Sequence, residues 1–219
     1  MNARSLHVPA LALLLALVLA LPACAQRKSP RAAAKLSGAL AVAAFTQPRY
    51  DWELLAGYIP DNTPLVDQKV LGDLDARLDS LLAANKKLSA TPARLTRQCQ
   101  EIAVFEQKGS RTSALKYWLE VGKCMGVDAL LVPQLIFWAE RDGSEMSVRT
   151  PAGVILELYL VDVKEQNLAG RFHFDETQIS LSENLLEAGK FMKRGGKWIT
   201  AGELAGEGID KGLVELGLK

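Results

Sequence analysis

Apolar residues recur at helical spacing in four segments of the chain. The longest segment follows Thr63 and Pro64, a pair typical of the N-cap and the first position of a helix. Its apolar residues share one helix face: Leu71, Leu74, Leu78, Leu81 and Leu82. The pattern therefore predicts an amphipathic helix over residues 64–86.

The other three helical segments are marked by their caps. One begins after Ser113 and ends at Gly126, a residue suited to the left-handed cap of a helix. The last two follow capping boxes, in which a hydroxyl residue stands three positions before a glutamate: Ser180 with Glu183, and Thr200 with Glu203. These boxes predict two consecutive helices at the end of the sequence.

Short apolar or alternating runs predict five strands. They cover Leu40–Phe45, Ile102–Glu106, Ala129–Glu140, Val154–Val163 and Leu168–Thr177. Pro133 lies inside the third run and indicates a sheet edge or a bulge there. In the fifth run Phe172 and Phe174 share one face, and polar residues occupy the other.

The resulting order is β-α-β-α-β-β-β-α-α. Strand–helix alternation followed by hairpins predicts an α/β (α+β) fold: one domain with a mixed sheet of about five strands and helices packed on it. The segment between the first strand and the first helix carries Trp52, Tyr58 and Pro60, which we expect to pack over the core.

The first residues have the pattern of a targeting segment. Arg4 precedes an apolar run from Val8 to Leu21, which is shorter than the roughly 20 residues of a bilayer-spanning helix. The run ends in Leu21-Pro22-Ala23-Cys24, which resembles the lipobox of bacterial lipoproteins. In that family the cysteine carries diacylglycerol and becomes the new N-terminus. Two alternatives remain open: cleavage after Ala25, which would release a soluble protein, and an uncleaved anchor.

These features divide the chain into a signal peptide at 1–23, a lipidated Cys24 with a polar tether at 24–37, and a periplasmic α/β domain at 38–219. Ala25 stands where an aspartate would resemble an inner-membrane retention signal. The prediction is therefore the periplasmic face of the outer membrane, or the periplasm or exterior if the lipobox is not used.

The charges nearly cancel, with 26 Lys and Arg against 25 Asp and Glu, a formal net charge of +1. With 49% hydrophobic residues, the chain has the composition of a globular domain rather than of a disordered tail. Near-neutrality argues against a nucleic-acid partner, which would require a basic field over the surface.

Beyond Cys24 the sequence holds one pair of cysteines, Cys99 and Cys124. In an oxidising compartment they could form a disulfide, which in the chain-entropy model stabilises by about 3 kcal/mol. Two buried free thiols are the alternative, since spacing alone does not settle geometry.

We find no constellation that indicates catalysis. His173 is the one histidine after the targeting segment, and no G-x-S-x-G, H-E-x-x-H or phosphate-binding loop is present. Asp175, Glu176 and Glu183 do not match the spacing of a calcium loop. The sequence therefore predicts a non-catalytic protein with no metal and no cofactor.

A basic corner near the end of the chain is the candidate partner surface. It consists of Lys193, Arg194, Lys197 and Trp198 around two glycines. A helix C-terminus, whose dipole favours cations, explains the same residues, and an anionic partner is the alternative. We expect reversal of these charges to leave folding intact but to abolish binding of the partner.

Several stretches together resemble a known group of envelope proteins. The helix start at Asp61-Asn62-Thr63, the run Gly126–Val132 and the strand ending Leu160-Val161-Asp162 are similar to the periplasmic α/β domain of LpoB-type activators, CsgG lipoproteins and the TolB N-terminal domain. The resemblance covers about residues 38–178. A second resemblance, carried by Phe174–Gln178 and Arg194-Gly195-Gly196-x-Trp198, is to envelope lipoproteins of uncharacterised activity, and it supplies no functional residue.

The LpoB and TolB resemblance implies an accessory lipoprotein that docks on an envelope protein. An oligomeric, CsgG-like secretion component is one alternative, although its pore would need long alternating hairpins that are not evident here. A small-ligand-binding periplasmic protein is another. Homo-oligomerisation is compatible with each of them.

The anchor can be tested by the intact mass of native protein extracted in detergent and alkylated without reduction. We expect the mass of the chain from Cys24 plus acyl groups, and no alkylation at Cys99 or Cys124 if these two are paired. An unlipidated chain beginning at Gln26 would contradict the lipoprotein prediction.

Overall fold

Five strands form a mixed sheet in the order Ala90–Thr91, Leu40–Val42, Ala129–Ala139, Gly153–Asp162 and Asn167–Thr177. The computed structural model describes residues 38–86, 88–106, 113–179 and 188–219. The strands are β1 Leu40–Val42, β2 Ala90–Thr91, β3 Ala129–Ala139, β4 Asp142–Gly143, β5 Val148–Thr150, β6 Gly153–Asp162 and β7 Asn167–Thr177. The helices are α1 Gln68–Ala83, α2 Ala93–Glu106, α3 Ala114–Met125, α4 Ala188–Lys193 and α5 Ala201–Glu215.

Strand β1 runs parallel to both of its neighbours, whereas β3, β6 and β7 form an antiparallel meander. Strands β4 and β5 form a separate two-stranded ribbon. The α/β class with a mixed five-stranded sheet and helices packed on it is thereby confirmed.

The sheet is covered on both faces. Helices α1 and α5 bury one face with leucine-rich stripes that include Leu78 and Leu213. Helices α2 and α3 bury the other, where Trp118 packs in a cluster with Tyr159 and Val161 of β6. This double burial explains why β6 is apolar along most of its length.

Two glycines let α5 approach the sheet closely. A Cβ added to Gly208 would lie 2.7 Å from the Phe174 ring, and one added to Gly212 would lie 2.5 Å from both Leu158 and Phe172. Both distances are shorter than a carbon–carbon contact allows. The α5–sheet spacing therefore requires glycine at both positions.

One predicted strand is wrong. Residues 102–106 belong to α2, whose buried positions repeat every three or four residues: Ala93, Thr96, Cys99, Gln100 and Ala103. The apolar residues Ile102, Val104 and Phe105 are exposed instead. A run of five residues fits either structure, because so short an apolar run does not show which periodicity it follows. The strand at this place in the order is β2, at Ala90–Thr91.

The start of α1 also differs from the prediction. Asp67 caps this helix and accepts a hydrogen bond from the Lys69 amide at 2.7 Å. Gln47 holds the preceding segment extended, because its side chain donates to the Pro64 carbonyl and accepts from the Val66 amide. Thr63 donates its hydroxyl to the Pro60 carbonyl rather than capping the helix.

Pro133 lies in a strand that has partners on both sides. The regular β1–β3 pairing ends at Leu131, just before this proline, and a register shift in the β3–β6 pairing falls between Leu135 and Phe137. The predicted edge position is therefore wrong, and the irregularity lies a few residues beyond Pro133.

Of the predicted caps, Ser113, Gly126 and the Thr200–Glu203 box are confirmed. The Ser180–Glu183 box, the targeting segment, Cys24 and the tether lie outside the described residues. No helix in the described ranges has both the length and the apolar character needed to cross a bilayer.

The close approach of α5 predicts the effect of adding one methyl group. We expect Gly208→Ala to lower the free energy of unfolding by about 1–3 kcal/mol relative to Gly202→Ala. Both substitutions remove a helical glycine, but the Cβ at Gly202 meets only the Thr200 hydroxyl at 3.9 Å. Urea unfolding of both variants measures the difference, and equal stabilities would contradict the packing argument.

Candidate functional site

A disulfide joins α2 to α3 in the structure. It links Cys99 with Cys124, whose Cα atoms are 5.8 Å apart. Cys99 lies within α2, not ahead of a strand, and its side chain is buried beside the α3 cluster. The bond therefore ties together the two helices that cover one face of the sheet.

Arg194 of the basic corner lies inside the protein. Its side chain is 7% exposed and donates to Glu176 at 2.6 Å and to both oxygens of Glu207 at 3.0 and 2.7 Å. It thereby connects α4 with β7 and α5. The sequence predicts this residue on a partner surface, but in the structure its Nε and Nη2 donors are engaged by two carboxylates of the fold.

Glu176 is the carboxylate at the centre of this network. Burial raises its pKa, but the hydrogen bond and charge of Arg194, with Lys211 and Lys190 at 3.6 and 3.7 Å, outweigh burial. The pKa of Glu176 therefore lies below its ordinary value, and the carboxylate stabilises the fold in its ionised form.

Lys197 and Trp198 contact the β4–β5 ribbon. The Lys197 ammonium lies 2.8 Å from Glu145, and the Trp198 amide donates to the Glu145 carbonyl. The Trp198 carbonyl accepts from the Arg141 guanidinium, and its ring packs edge-on against Phe191. Of the four predicted residues, Lys193 is exposed without such a contact among the described residues.

A different surface displays aromatic side chains. Residues 49–58, which we call the aromatic loop, follow β1 and lie over the sheet. Tyr50 and Trp52 are 58% and 43% exposed, and their rings stack with centroids 5.7 Å apart and planes 10° apart. Tyr58, at the other end of the loop, is 74% exposed. The expectation that Trp52 and Tyr58 pack over the core is wrong.

Hydrogen bonds fix the backbone of the aromatic loop. The Glu53 carboxylate accepts from the amides of Arg49 at 2.5 Å and Tyr50 at 3.2 Å. The Glu53 carbonyl in turn accepts from the Gln134 side chain at 3.0 Å, and the Ala56 carbonyl accepts from the Tyr159 hydroxyl at 2.5 Å. The exposed rings therefore stand on a backbone that is anchored to β3 and β6.

A charged cluster lies beneath the loop. The Glu157 side chain, 4% exposed, accepts from Arg171 Nε at 2.9 Å and Nη2 at 2.6 Å, and lies 2.7 Å from His173 Nδ1. Gly57 adopts φ +99° directly against this cluster, and a Cβ there would come within 3.0 Å of Arg171. The cluster and the loop are thus packed on one another.

The cluster has the electrostatics of a structural ion pair. The Glu157 hydrogen bond raises the pKa of Arg171, and burial raises the pKa of Tyr159 to about 12. Glu157 pairs with His173 in the β6–β7 register, so the sheet itself places these groups together. Among the described residues, no three His, Cys, Asp or Glu side chains form a group suited to a metal ion.

Comparison with known proteins gives a fold-level likeness. A search of protein-family models finds no match, and a search of curated proteins finds none either. Solved structures that resemble the chain include a PelC dodecamer from Paraburkholderia phytofirmans, at 14% identity and a TM-score of 0.39 over 81% of this chain and 86% of that one. The C-terminal domain of LpoB from Salmonella enterica matches at 12% identity and a TM-score of 0.37, over 67% and 88%.

A lipoprotein from Neisseria meningitidis, GNA1162, matches at 16% identity and a TM-score of 0.36, over 72% of this chain and 98% of that one. The neighbours thus include LpoB, named above from the sequence, and a lipoprotein. At these identities and TM-scores the likenesses carry no argument about function, which must come from the chain's own residues.

The Arg194 network predicts a pH-dependent stability. Because the pKa of Glu176 is lowered in the folded state, its ionised carboxylate contributes stability at every pH above the range in which carboxyl groups ordinarily titrate. That stability is lost as the pH falls through the folded-state pKa. We expect Arg194→Met to lower the free energy of unfolding by about 2 kcal/mol at pH 7. This is less than the roughly 3–5 kcal/mol lost when one partner of a fully buried pair is removed. The difference from the wild type should shrink on acidification.

Lys123→Met is the matched control, because it removes the exposed pair that Lys123 forms with Glu120 at 2.9 Å. We expect that substitution to lower the free energy of unfolding by less than about 0.5 kcal/mol. Urea unfolding at pH 7 and pH 3 measures both variants, and equal losses would contradict the role of Arg194 as an internal link.

Proposed function

We propose that the chain is a non-catalytic, lipid-anchored accessory module of the cell envelope that docks on a protein partner through the aromatic loop. The observation that carries this proposal is the stacked, exposed pair of Tyr50 and Trp52 on a hydrogen-bonded backbone. Tryptophan and tyrosine are enriched among the few residues that contribute most of the binding energy at protein interfaces.

The fixed backbone supports binding, because order in the free protein reduces the entropy lost on association. Tyr50 and Trp52 each have two side-chain torsions, and their stacking restricts both rings further. A partner that covers them gains apolar contact without having to order the loop.

The position of the loop also suits a tethered module. The chain enters the domain where the Ala39 amide donates to the Asp128 carboxylate, just before β3. The loop is anchored at Gln134, six residues further along β3, which corresponds to about 20 Å. With a lipid on Cys24 and residues 25–37 as a tether of up to about 45 Å, the loop could reach a partner away from the bilayer.

The charged groups beneath the loop support a non-catalytic role. Glu157 is enclosed by Arg171 and His173 under the loop, so its carboxylate is engaged in ion pairing. The outer membrane, with the domain in the periplasm, is the location that the lipobox and Ala25 favour.

Site-specific crosslinking in the native host tests the docking surface. We expect a photoreactive phenylalanine analogue at position 52 to crosslink one envelope protein, and Trp52→Ala to abolish recovery of that protein after chemical crosslinking. Because Trp52 is exposed, the substitution should change the free energy of unfolding by less than about 0.5 kcal/mol.

Leu95→Ala is the matched control, since Leu95 is an exposed apolar residue on α2 outside the loop. It should leave recovery unchanged. Equal recovery from Trp52→Ala and the wild type would contradict the docking surface. Crosslinks at position 52 between copies of this chain would favour the oligomeric alternative.

A further inference from the structure

Side chains of α1, α4 and α5 line an open groove of about 680 Å³. It lies on the sheet face opposite the aromatic loop, because α1 and α5 cover one face while Leu55 and Ala56 of the loop pack against the other. Ligand sites in proteins commonly have volumes of about 300–1,000 Å³. The groove is therefore large enough to be a binding site, separate from the loop.

The acidic groups of the groove are already paired. Glu203 accepts from the Thr200 amide at 2.8 Å as part of the helix cap. Glu207 accepts from Arg194, and Asp210 forms an ion pair with Lys219. Each of these carboxylates is thus engaged within the fold, and Glu203 keeps its negative charge because its partners are an amide and a hydroxyl.

Two of the basic groups in the groove lack a carboxylate partner in the part of the chain that the structure describes. Arg77 projects from α1, and its guanidinium lies over Gly206 of α5, where a Cβ would be 3.1 Å from Nε. Lys193 is exposed on α4. In the described ranges, neither the Arg77 nor the Lys193 side chain has a hydrogen bond or a carboxylate within 4 Å. Lys211, a third basic residue of the lining, is already 3.6 Å from Glu176 and 3.9 Å from Glu207.

We propose that this groove binds an acidic, extended peptide segment of a protein partner, with Arg77 and Lys193 pairing with its carboxylates. The excess of positive charge is local, since the whole chain has a net charge of only +1. Opposite charge at a groove raises the concentration and the association rate of an oppositely charged ligand.

The lining favours a peptide over a compact polyanion. Glu203 and Asp210 lie among the basic groups and would repel a dense cluster of phosphates. A peptide can place its carboxylates opposite Arg77 and Lys193 and its apolar positions against Ile199. From Glu203 to Lys211 the α5 wall extends about 12 Å, which matches about four residues of extended chain.

Fluorescence anisotropy with the full chain in a non-ionic detergent tests the proposal. The probe is a fluorescein-labelled octapeptide of alternating glutamate and alanine, at low salt because exposed ion pairs are screened. We expect the double variant Arg77→Gln/Lys193→Gln to raise Kd about tenfold. The charge-matched control Lys116→Gln/Lys164→Gln, at exposed lysines outside the groove, should raise it less than about threefold.

Three outcomes would overturn the proposal. In the first, the peptide does not bind the wild type. In the second, the two double variants weaken binding equally, which would show that the effect follows net charge alone. In the third, inorganic phosphate or phosphatidylglycerol vesicles bind in an Arg77- and Lys193-dependent manner more tightly than the peptide. Thermal unfolding verifies that both double variants fold. Because the groove lies on the sheet face opposite Trp52, Trp52→Ala should leave the affinity for the peptide unchanged.

Discussion

Burial of β6 on both faces is the constraint on which the rest of the structure depends. Leu156, Leu158 and Leu160 face α1 and α5, while Tyr159 and Val161 face α2 and α3. With water excluded from both sides, any polar group in the middle of this strand must be satisfied by the protein. The elements around β6 must therefore supply apolar side chains that pack against both of its faces and hydrogen-bond partners for its polar group.

Glu157 is the charged residue in the middle of β6, and the hydrogen-bond partners that its buried carboxylate requires determine which groups lie above it. Two hydrogen bonds from Arg171 and a contact with His173 satisfy the carboxylate, and the aromatic loop then covers the pair. The loop can approach so closely because Gly57 has no side chain to collide with Arg171. A polar residue in a buried strand thus fixes the backbone that displays Tyr50 and Trp52 to solvent.

The elements that could be predicted from sequence are those with local signals. The caps of α3 and α5 and the β6–β7 hairpin follow from hydroxyl, glycine and alternation patterns within a few residues. The strand predicted at 102–106 failed because its apolar residues form the outer surface of α2, where burial, not composition, distinguishes the two structures. The exposure of Trp52 could not be predicted either, since the loop backbone is held by Gln134 and Tyr159, which are distant in sequence.

The basic residues near the end of the chain show how tertiary structure decides the role of a charge. The sequence places Lys193 and Arg194 side by side, and both fit a basic corner equally well. In the fold, Glu176 of β7 and Glu207 of α5 engage Arg194, while Arg77 of α1 comes alongside α5 at Gly206. Whether a basic side chain remains available to an anion therefore depends on whether the sheet and the helices place a carboxylate next to it. Basic residues with an internal carboxylate stabilise the fold, whereas Arg77 and Lys193, which have none among the described residues, are the ones that we propose bind a ligand.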